Sequence, residues 1–312
     1  MKISKNCKVT TQVVLIFLAV IVFSLSLTVY RKQPLFADSQ SGQEKCLLWS
    51  VHDGPKTSYI LGSIHVANQT IYPLNSEIEE AFEQADTLVV EADVAALDKS
   101  LIQSLMAREG VYSDNSTLAS HLSIGTYKFV RDELEQMGLS FEQFNMYRPW
   151  LLAITITNMK LAQMGYEHKW GLESYFLEKA RGELEVVELE GSEEQIKFFA
   201  GLSEPLQELF LFHTIVDLRT LEEEMDTLIS AWKQADIETI DRLLTKGIRK
   251  HPELELIYDI LICQRSEKMY SVIKQLLQDE NSYFIIVGVA HLIGEKSIIR
   301  LLRNNGYRVE KF

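Results

Sequence analysis

Four short apolar runs constrain this chain most. They are "SYILGSIH" (58–65), "TLVVEAD" (87–93), "ELEVVELE" (183–190) and "YFIIVGVAH" (283–291). Each is β-branched, brief and flanked by polar residues, the pattern of a strand buried on both faces. "LLWSVHDG" (47–54) and "YRVEKF" (307–312) add edge strands, with Asp53-Gly54-Pro55 as a hairpin turn. Helical patterns fill the gaps. "NSEIEEAFEQA" (75–85) offers Asn75 or Ser76 as an N-cap, and "EKSIIRLLRNNGY" (295–307) stops at Asn305-Gly306. Strand then helix, repeated, predicts an α/β fold with a mainly parallel central sheet. The stretches from about 95 to 180 and 192 to 281 carry almost no strand signal, so two long helical insertions should interrupt the sheet.

A parallel sheet binds its ligands beyond the carboxyl ends of its strands. The residues with chemistry fall there. His65 and His291 close two of the runs, each three residues after a glycine (Gly62 and Gly288), and Glu91 and Glu190 close the other two. One Gly-x-x-His carries little information, and a lone histidine at a strand end usually only satisfies local polar groups. Two copies on two similar strands, with a carboxylate on a third, point to one shared polar site. Imidazole plus carboxylate oxygen suits Zn²⁺, Mn²⁺, Co²⁺ or Fe²⁺. His65, His291 and Glu91 are therefore the expected metal set, and Glu190 the expected general base or orienting group. Arg265, in "CQRSEKM", lies close enough before the last buried strand to reach the site and hold developing charge. Arg148 in "YRPW" should pair within its insertion. His168 could line the pocket, His213 reads as helix packing, and His52, His121 and His251 as edge or loop residues.

The N-terminus stands apart. Val13 to Val29 is a 17-residue run without charge, preceded by a basic segment and followed by Arg31 and Lys32. It is expected to be a signal-anchor in a single-pass membrane protein with its body outside, or else a cleaved signal of a secreted one. Residues 1–45 are set aside as anchor and linker, leaving 46–312 as the catalytic domain. The net charge is −13, and five cations without an acid in residues 1–37 leave −18 on the remainder. So acidic a body argues against nucleic-acid partners and is compatible with cations or cationic peptides. Cys7 precedes the apolar run; Cys46 and Cys263 could pair but make no disulfide framework, and no C-x-x-C suggests a thiolate zinc site.

The order and spacing of "LGSIHVAN", "ADTLVVEAD", "YRPW", "GLESYFLEKA", "VVELEGSEEQIKFF", "QRSEKM" and "VGVAHLIGEKSIIRLLRNNGY" resemble the TraB/GumN family, from about Leu47 to Phe312. That family includes the Tiki proteins, membrane-tethered metalloproteases. The resemblance implies an erythromycin-esterase and ChaN-like α/β fold. It also implies divalent-metal peptidase activity with Mn²⁺ or Co²⁺ favoured, Zn²⁺ less so, and a peptide or protein substrate. The family's paired Gly-x-x-His motifs fall on Gly62, His65, Gly288 and His291, and its glutamate on Glu91. Ser266 stands where the family's Arg-Asn pair has Asn, and Gly171-Leu172-Glu173 where it has Gly-x-Asp. Other readings stay open: a metal-free esterase with a histidine base, or a protein that captures a secreted peptide without cutting it. A haem-binding role is more distant.

Overall fold

The computed structural model describes residues 45–53 and 56–312. Six strands form one sheet in the order β4-β3-β5-β2-β1-β6. They are β1 (Leu48–Asp53), β2 (Lys56–Ser63), β3 (Thr87–Val90), β4 (Glu185–Glu188), β5 (Tyr283–Gly288) and β6 (Arg308–Lys311). The four expected inner runs lie side by side and parallel. β1 folds back on β2 as the antiparallel arm of the expected hairpin, pairing Asp53 with Lys56, and β6 pairs with β1. The turn residues 54 and 55 lie outside the described residues. β3 and β5 are buried along their whole length, which is why they read as continuous apolar runs without alternation.

The topology places the last buried strand between the first two. β5 pairs with β2 through Ser63↔Gly288 and with β3 through Val90↔Ile286. The strands that precede His65, Glu91 and His291 are therefore neighbours ending at one edge. This edge is where the sheet's sequence order breaks, the usual ligand position in an open α/β sheet.

After β2 comes α1 (Ser76–Glu83), with the Asn75 side chain capping it on the Glu77 N–H. The first insertion, between β3 and β4, holds α2 (Lys99–Gly110), α3 (Ile124–Gln136), α4 (Pro149–Gln163) and α5 (Leu172–Ala180). The second, between β4 and β5, holds α6 (Ser192–Ala200), α7 (Glu204–Asp217), α8 (Leu221–Lys233), α9 (Ile237–Lys250) and α10 (Gln264–Leu276). A π-helical segment, Asp259–Cys263, runs straight into α10. α11 (Ile298–Asn304) follows β5 and ends, as expected, at Asn305 and a left-handed Gly306. The insertions are not appendages. α4 buries Trp150, Leu151, Leu152, Ile154 and Ile156 and packs on α7. Trp232 of α8 donates its indole N–H to the Gly62 carbonyl at 2.6 Å, tying the second insertion to the end of β2.

Two expectations change. Cys46 and Cys263 are separate buried thiols, and burial pushes both up, to about 12 and about 11, so neither is poised as a nucleophile. The placement as a single-pass membrane protein is corrected as well. Among the described residues no helix is long and apolar enough to cross a membrane. The segment from Val13 to Val29, on which that placement rested, lies outside the described residues.

Candidate functional site

The strands stop short of the histidines. β2 ends at Ser63 and β5 at Gly288, where their pairing runs out. His65 sits in the loop after β2, and His291 in a single 3-10 turn, Val289–His291. Glu91 directly follows β3. Backbone zippers fix these loops. Ala67 and Glu167 exchange hydrogen bonds, and Leu172 donates to the Ile64 carbonyl. On the other side, the N–H groups of Glu190 and Gly191 both donate to the Glu91 carbonyl at 3.0 Å.

Glu91 is the centre. It is 2% exposed, and every oxygen is engaged. Its Oε1 accepts from the Gly288 backbone N–H at 2.7 Å and faces two imidazoles, His65 Nε2 at 3.7 Å and His291 Nε2 at 4.0 Å. Its Oε2 accepts from Arg265 at 2.7 Å and from Gln195 at 3.3 Å. Burial alone would raise its pKa. The charges of His65 and Arg265, with the Gly288 N–H, outweigh burial and hold it well below the usual carboxylate range. Glu91 is an ionised carboxylate locked in one orientation.

Each imidazole is gripped from behind. His65 Nδ1 pairs with Glu173 Oε1 at 2.7 Å, and that oxygen also accepts from Ser63 Oγ. His291 Nδ1 meets Ser266 Oγ at 2.9 Å. The Nδ1 partners aim both Nε2 atoms at Glu91, the arrangement typical of metal-bound histidines. The two rings differ in charge. Burial would lower both. For His65 the Glu173 carboxylate, by charge and hydrogen bond, reverses this and raises it to about 9; for His291 burial wins and keeps it neutral, at about 3.

Arg265 and Glu190 form the base of the site. Arg265 is 2% exposed, and its nitrogens are all turned into the protein. Nε and one terminal nitrogen grip Glu190 at 2.8–3.2 Å, the same terminal nitrogen holds Glu91, and the other meets the Leu261 carbonyl at 3.3 Å. Burial raises the Glu190 pKa, against the opposing pull of Arg265. The π-helical segment just before Arg265 has a visible consequence. Consecutive residues on α10 both point inward, Arg265 to Glu91 and Ser266 to His291.

The residues fit a divalent ion in kind. Two imidazole nitrogens and one carboxylate oxygen converge, and the Gly288 position leaves the space open. A Cβ there would lie 2.8 Å from His65 Nε2 and 3.2 Å from Glu91 Oε1. Donors on one ion usually lie roughly 3.0–3.5 Å apart; here His65 and His291 stand 3.7 and 4.0 Å from Glu91, and the three donors do not all lie within 4.8 Å of one another, so the side chains must draw in to close a shell. Among the described residues a tighter group of this kind lies elsewhere, at His213, His251 and Glu253.

Sequence reasoning singled out Glu91, Glu190, Arg265, His65 and His291, and the structure brings all five together. It assigned no role to Glu173, Ser266 or Gln195, which contact His65, His291 and Glu91 respectively. Glu173 was marked only by the resemblance, at the family's Gly-x-Asp position, and Gln195 gave no signal, since both sit on helices among ordinary polar residues. His168, considered for the pocket, is half-buried near His65, with its Nε2 buried and lacking a partner, and desolvation keeps it neutral at about 4. Arg148 does not pair with a carboxylate there but stacks over Tyr112, 4.9 Å from the ring centre. His52 and His121 lie apart on other polar networks.

Residues 47–311 match the TraB/PrgY/gumN family, so the chain belongs to that family. It is similar to the uncharacterized protein YbaP of Shigella flexneri and of Escherichia coli K12. Each is 25% identical over 254 residues, which is 80% of this chain and 89% of YbaP. It is also similar to a metalloprotease TIKI homolog of Amphimedon queenslandica, 22% identical over 88% of this chain and 62% of that protein. No solved structure matches. Family and relative together hint at hydrolase chemistry.

Proposed function

We propose that the protein is a divalent-metal-dependent hydrolase that cuts peptide bonds. One observation carries this reading: two histidines, each held at Nδ1 from behind, turn their Nε2 atoms on the same oxygen of an ionised, buried glutamate. His65, His291 and Glu91 would hold the ion. Imidazole with carboxylate favours Mn²⁺, Co²⁺ or Zn²⁺ over Mg²⁺ or Ca²⁺. Such an ion, when bound, polarises a carbonyl and lowers the pKa of water. Similarity to a protein named a metalloprotease supports peptide over other substrates.

The chain's own residues do the rest. Arg265 keeps Glu91 ionised and oriented, and Glu190 keeps Arg265 in place; both act as positioning residues. Glu173 does the same for His65, which it holds at Nδ1. Its Oε1 is committed to Ser63 and His65, but its Oε2 is buried without a partner. His65 is the most exposed member of the set, with 15% of its side chain accessible, so substrate approaches on its side.

The test uses the full chain, stripped with a chelator and reloaded with Mn²⁺, Co²⁺ or Zn²⁺, and a mixture of unstructured peptides read by mass spectrometry. Metal-dependent cleavage is expected. His65→Ala and His291→Ala should each abolish it while leaving the fold intact, and the double variant should be no worse than either. Peptides that bind but emerge whole would make the protein a capture module, and cleavage untouched by chelator would make it a metal-free hydrolase; both outcomes overturn the proposal.

A further inference from the structure

A second cluster lies away from the strand ends. His213 sits on α7, His251 caps the C-terminus of α9, and Glu253 lies in the turn Pro252–Leu254 that follows. His213 Nε2 is 3.9 Å from Glu253 Oε1, and His251 Nδ1 is 3.3 Å from the same oxygen. Among the described residues this is the group of three whose donor atoms all lie within 4.8 Å of one another. It is a more closed set than the one around Glu91.

We infer that His213, His251 and Glu253 form a second metal site, for a borderline divalent cation such as Zn²⁺. Two imidazoles and one carboxylate meet at one point, a donor set that suits Zn²⁺ and is nitrogen-rich for Mg²⁺ or Ca²⁺.

Three further features support a ligand. His213 is 3% exposed, and this buried ring turns its Nε2 toward the Glu253 carboxylate, 3.9 Å away. The two rings are in contact, tilted at 57° with centroids 4.6 Å apart. Glu253 keeps half of its side chain exposed, which leaves positions for water on the outer face. A purely packing role for His213 explains its burial. It does not explain why a second imidazole and a carboxylate from a different segment are brought to it.

The position suggests what the ion does. It would tie α7 to the short segment between α9 and the π-helical turn that leads to Arg265. Both segments belong to the second insertion, so the cation acts there as a cross-link that holds the approach to α10.

The test counts Zn²⁺ bound to the chelator-stripped full chain, by competition with a chromophoric chelator, with the melting temperature as a second readout. The wild type should bind two equivalents, His251→Ala and Glu253→Gln one, His291→Ala one, and the double variant His251→Ala/His291→Ala none. Zn²⁺ should raise the melting temperature of His291→Ala but not of the double variant. His251 and Glu253 are partly exposed, so their substitution spares the core, and far-ultraviolet circular dichroism checks this. If the strand-end reading alone fails, the wild type binds one equivalent and His251→Ala none. If His251→Ala and Glu253→Gln bind as many equivalents as the wild type, the second site does not exist.

Discussion

Replacing Gly288 by alanine should disable the strand-end site while sparing the fold. The backbone there has φ −50 and ψ 133, which alanine adopts without strain. The added methyl is the whole perturbation. It would lie 2.8 Å from His65 Nε2, 3.2 Å from Glu91 Oε1 and 3.4 Å from His65 Cε1. Carbon against such atoms needs roughly 3.5 Å, so the His65 ring must retreat by about half an ångström or more. A productive site tolerates about that much error and little beyond it. Overpacking should cost about 1–3 kcal/mol of stability. Metal affinity should fall by roughly 10–100-fold, as when a ligand loses its support. The control is the other glycine. A Cβ on Gly62 meets Val289 Cγ2 at 3.2 Å, Leu292 Cδ1 at 3.4 Å and Trp49 at 3.5 Å, all side-chain atoms away from the imidazoles. Gly62→Ala should therefore cost less than about 1 kcal/mol and leave metal uptake intact. Both variants are made in a His251→Ala background, so that only the strand-end site reports. Denaturant unfolding gives stability, and elemental analysis after dialysis gives uptake. Equal uptake in the two variants, or loss confined to Gly62→Ala, would refute the reasoning.

Arg265→Met should destabilise the protein by about 3–5 kcal/mol in chemical unfolding, because it leaves Glu91 and Glu190 buried together without their cation. Ser266→Ala should leave stability within about 1 kcal/mol yet weaken metal binding roughly 10–100-fold, since it frees His291 Nδ1. Glu224 supplies a pH test far from the site. Burial raises it from 4.5 to about 7, against the pull of Lys246. A carboxyl with a raised folded pKa contributes its stability below about pH 4.5, and that stability is lost as pH rises through about 7. Glu224→Gln should thus flatten this loss and gain up to about 3 kcal/mol at pH 8 in thermal or chemical melts. A variant with the same pH profile as the wild type would show that Glu224 titrates normally.

Much of the fold is legible because the buried strands are two-sided. A run such as Phe284 to Val287 cannot be anything but interior, and its shortness excludes a helix of similar apolarity. The order of the strands is less legible. Nothing local says that β5 inserts between β2 and β3; that depends on where the helical insertions let the chain return. Strand ends were misplaced by two or three residues, because apolar residues such as Ile64 and Val289 continue past the last ladder pair to pack under the insertions. Site residues carried by the strand ends were readable for the same reason the strands were. Those carried by helices were not. Glu173 and Gln195 look like ordinary polar positions on α5 and α6 until the sheet edge is placed beneath them. His213 was read as packing because a lone buried histidine on an apolar helix carries no sign of His251 and Glu253, which reach it from another segment.

The duplicated Gly-x-x-His motif shows most clearly where sequence and structure part. As text the two copies are the same. In the sheet they are offset by one residue, since Gly62 pairs with Val287 while Gly288 pairs with Ser63. Side chains alternate faces along a strand, so this single step puts the two glycines on opposite faces. Ser63, opposite Gly288, points to the site and bonds Glu173. Gly62 points the other way and lets the turn carrying Val289 and Leu292 pack against the sheet. The histidines still converge because they lie beyond the strands, His65 in an open loop and His291 in a 3-10 turn that advances the chain at a different rate. One glycine thus clears the space between the ligands, and the other allows the turn that presents His291. A Ser63→Gly/Gly288→Ser exchange should therefore fail to conserve the site, although it moves the glycine only to the paired position. The serine at 288 would sit against His65 and Glu91, while Glu173 would lose the Ser63 hydroxyl. Metal uptake at the level of the unaltered chain after that exchange would mean the two positions are interchangeable and the offset has no chemical consequence.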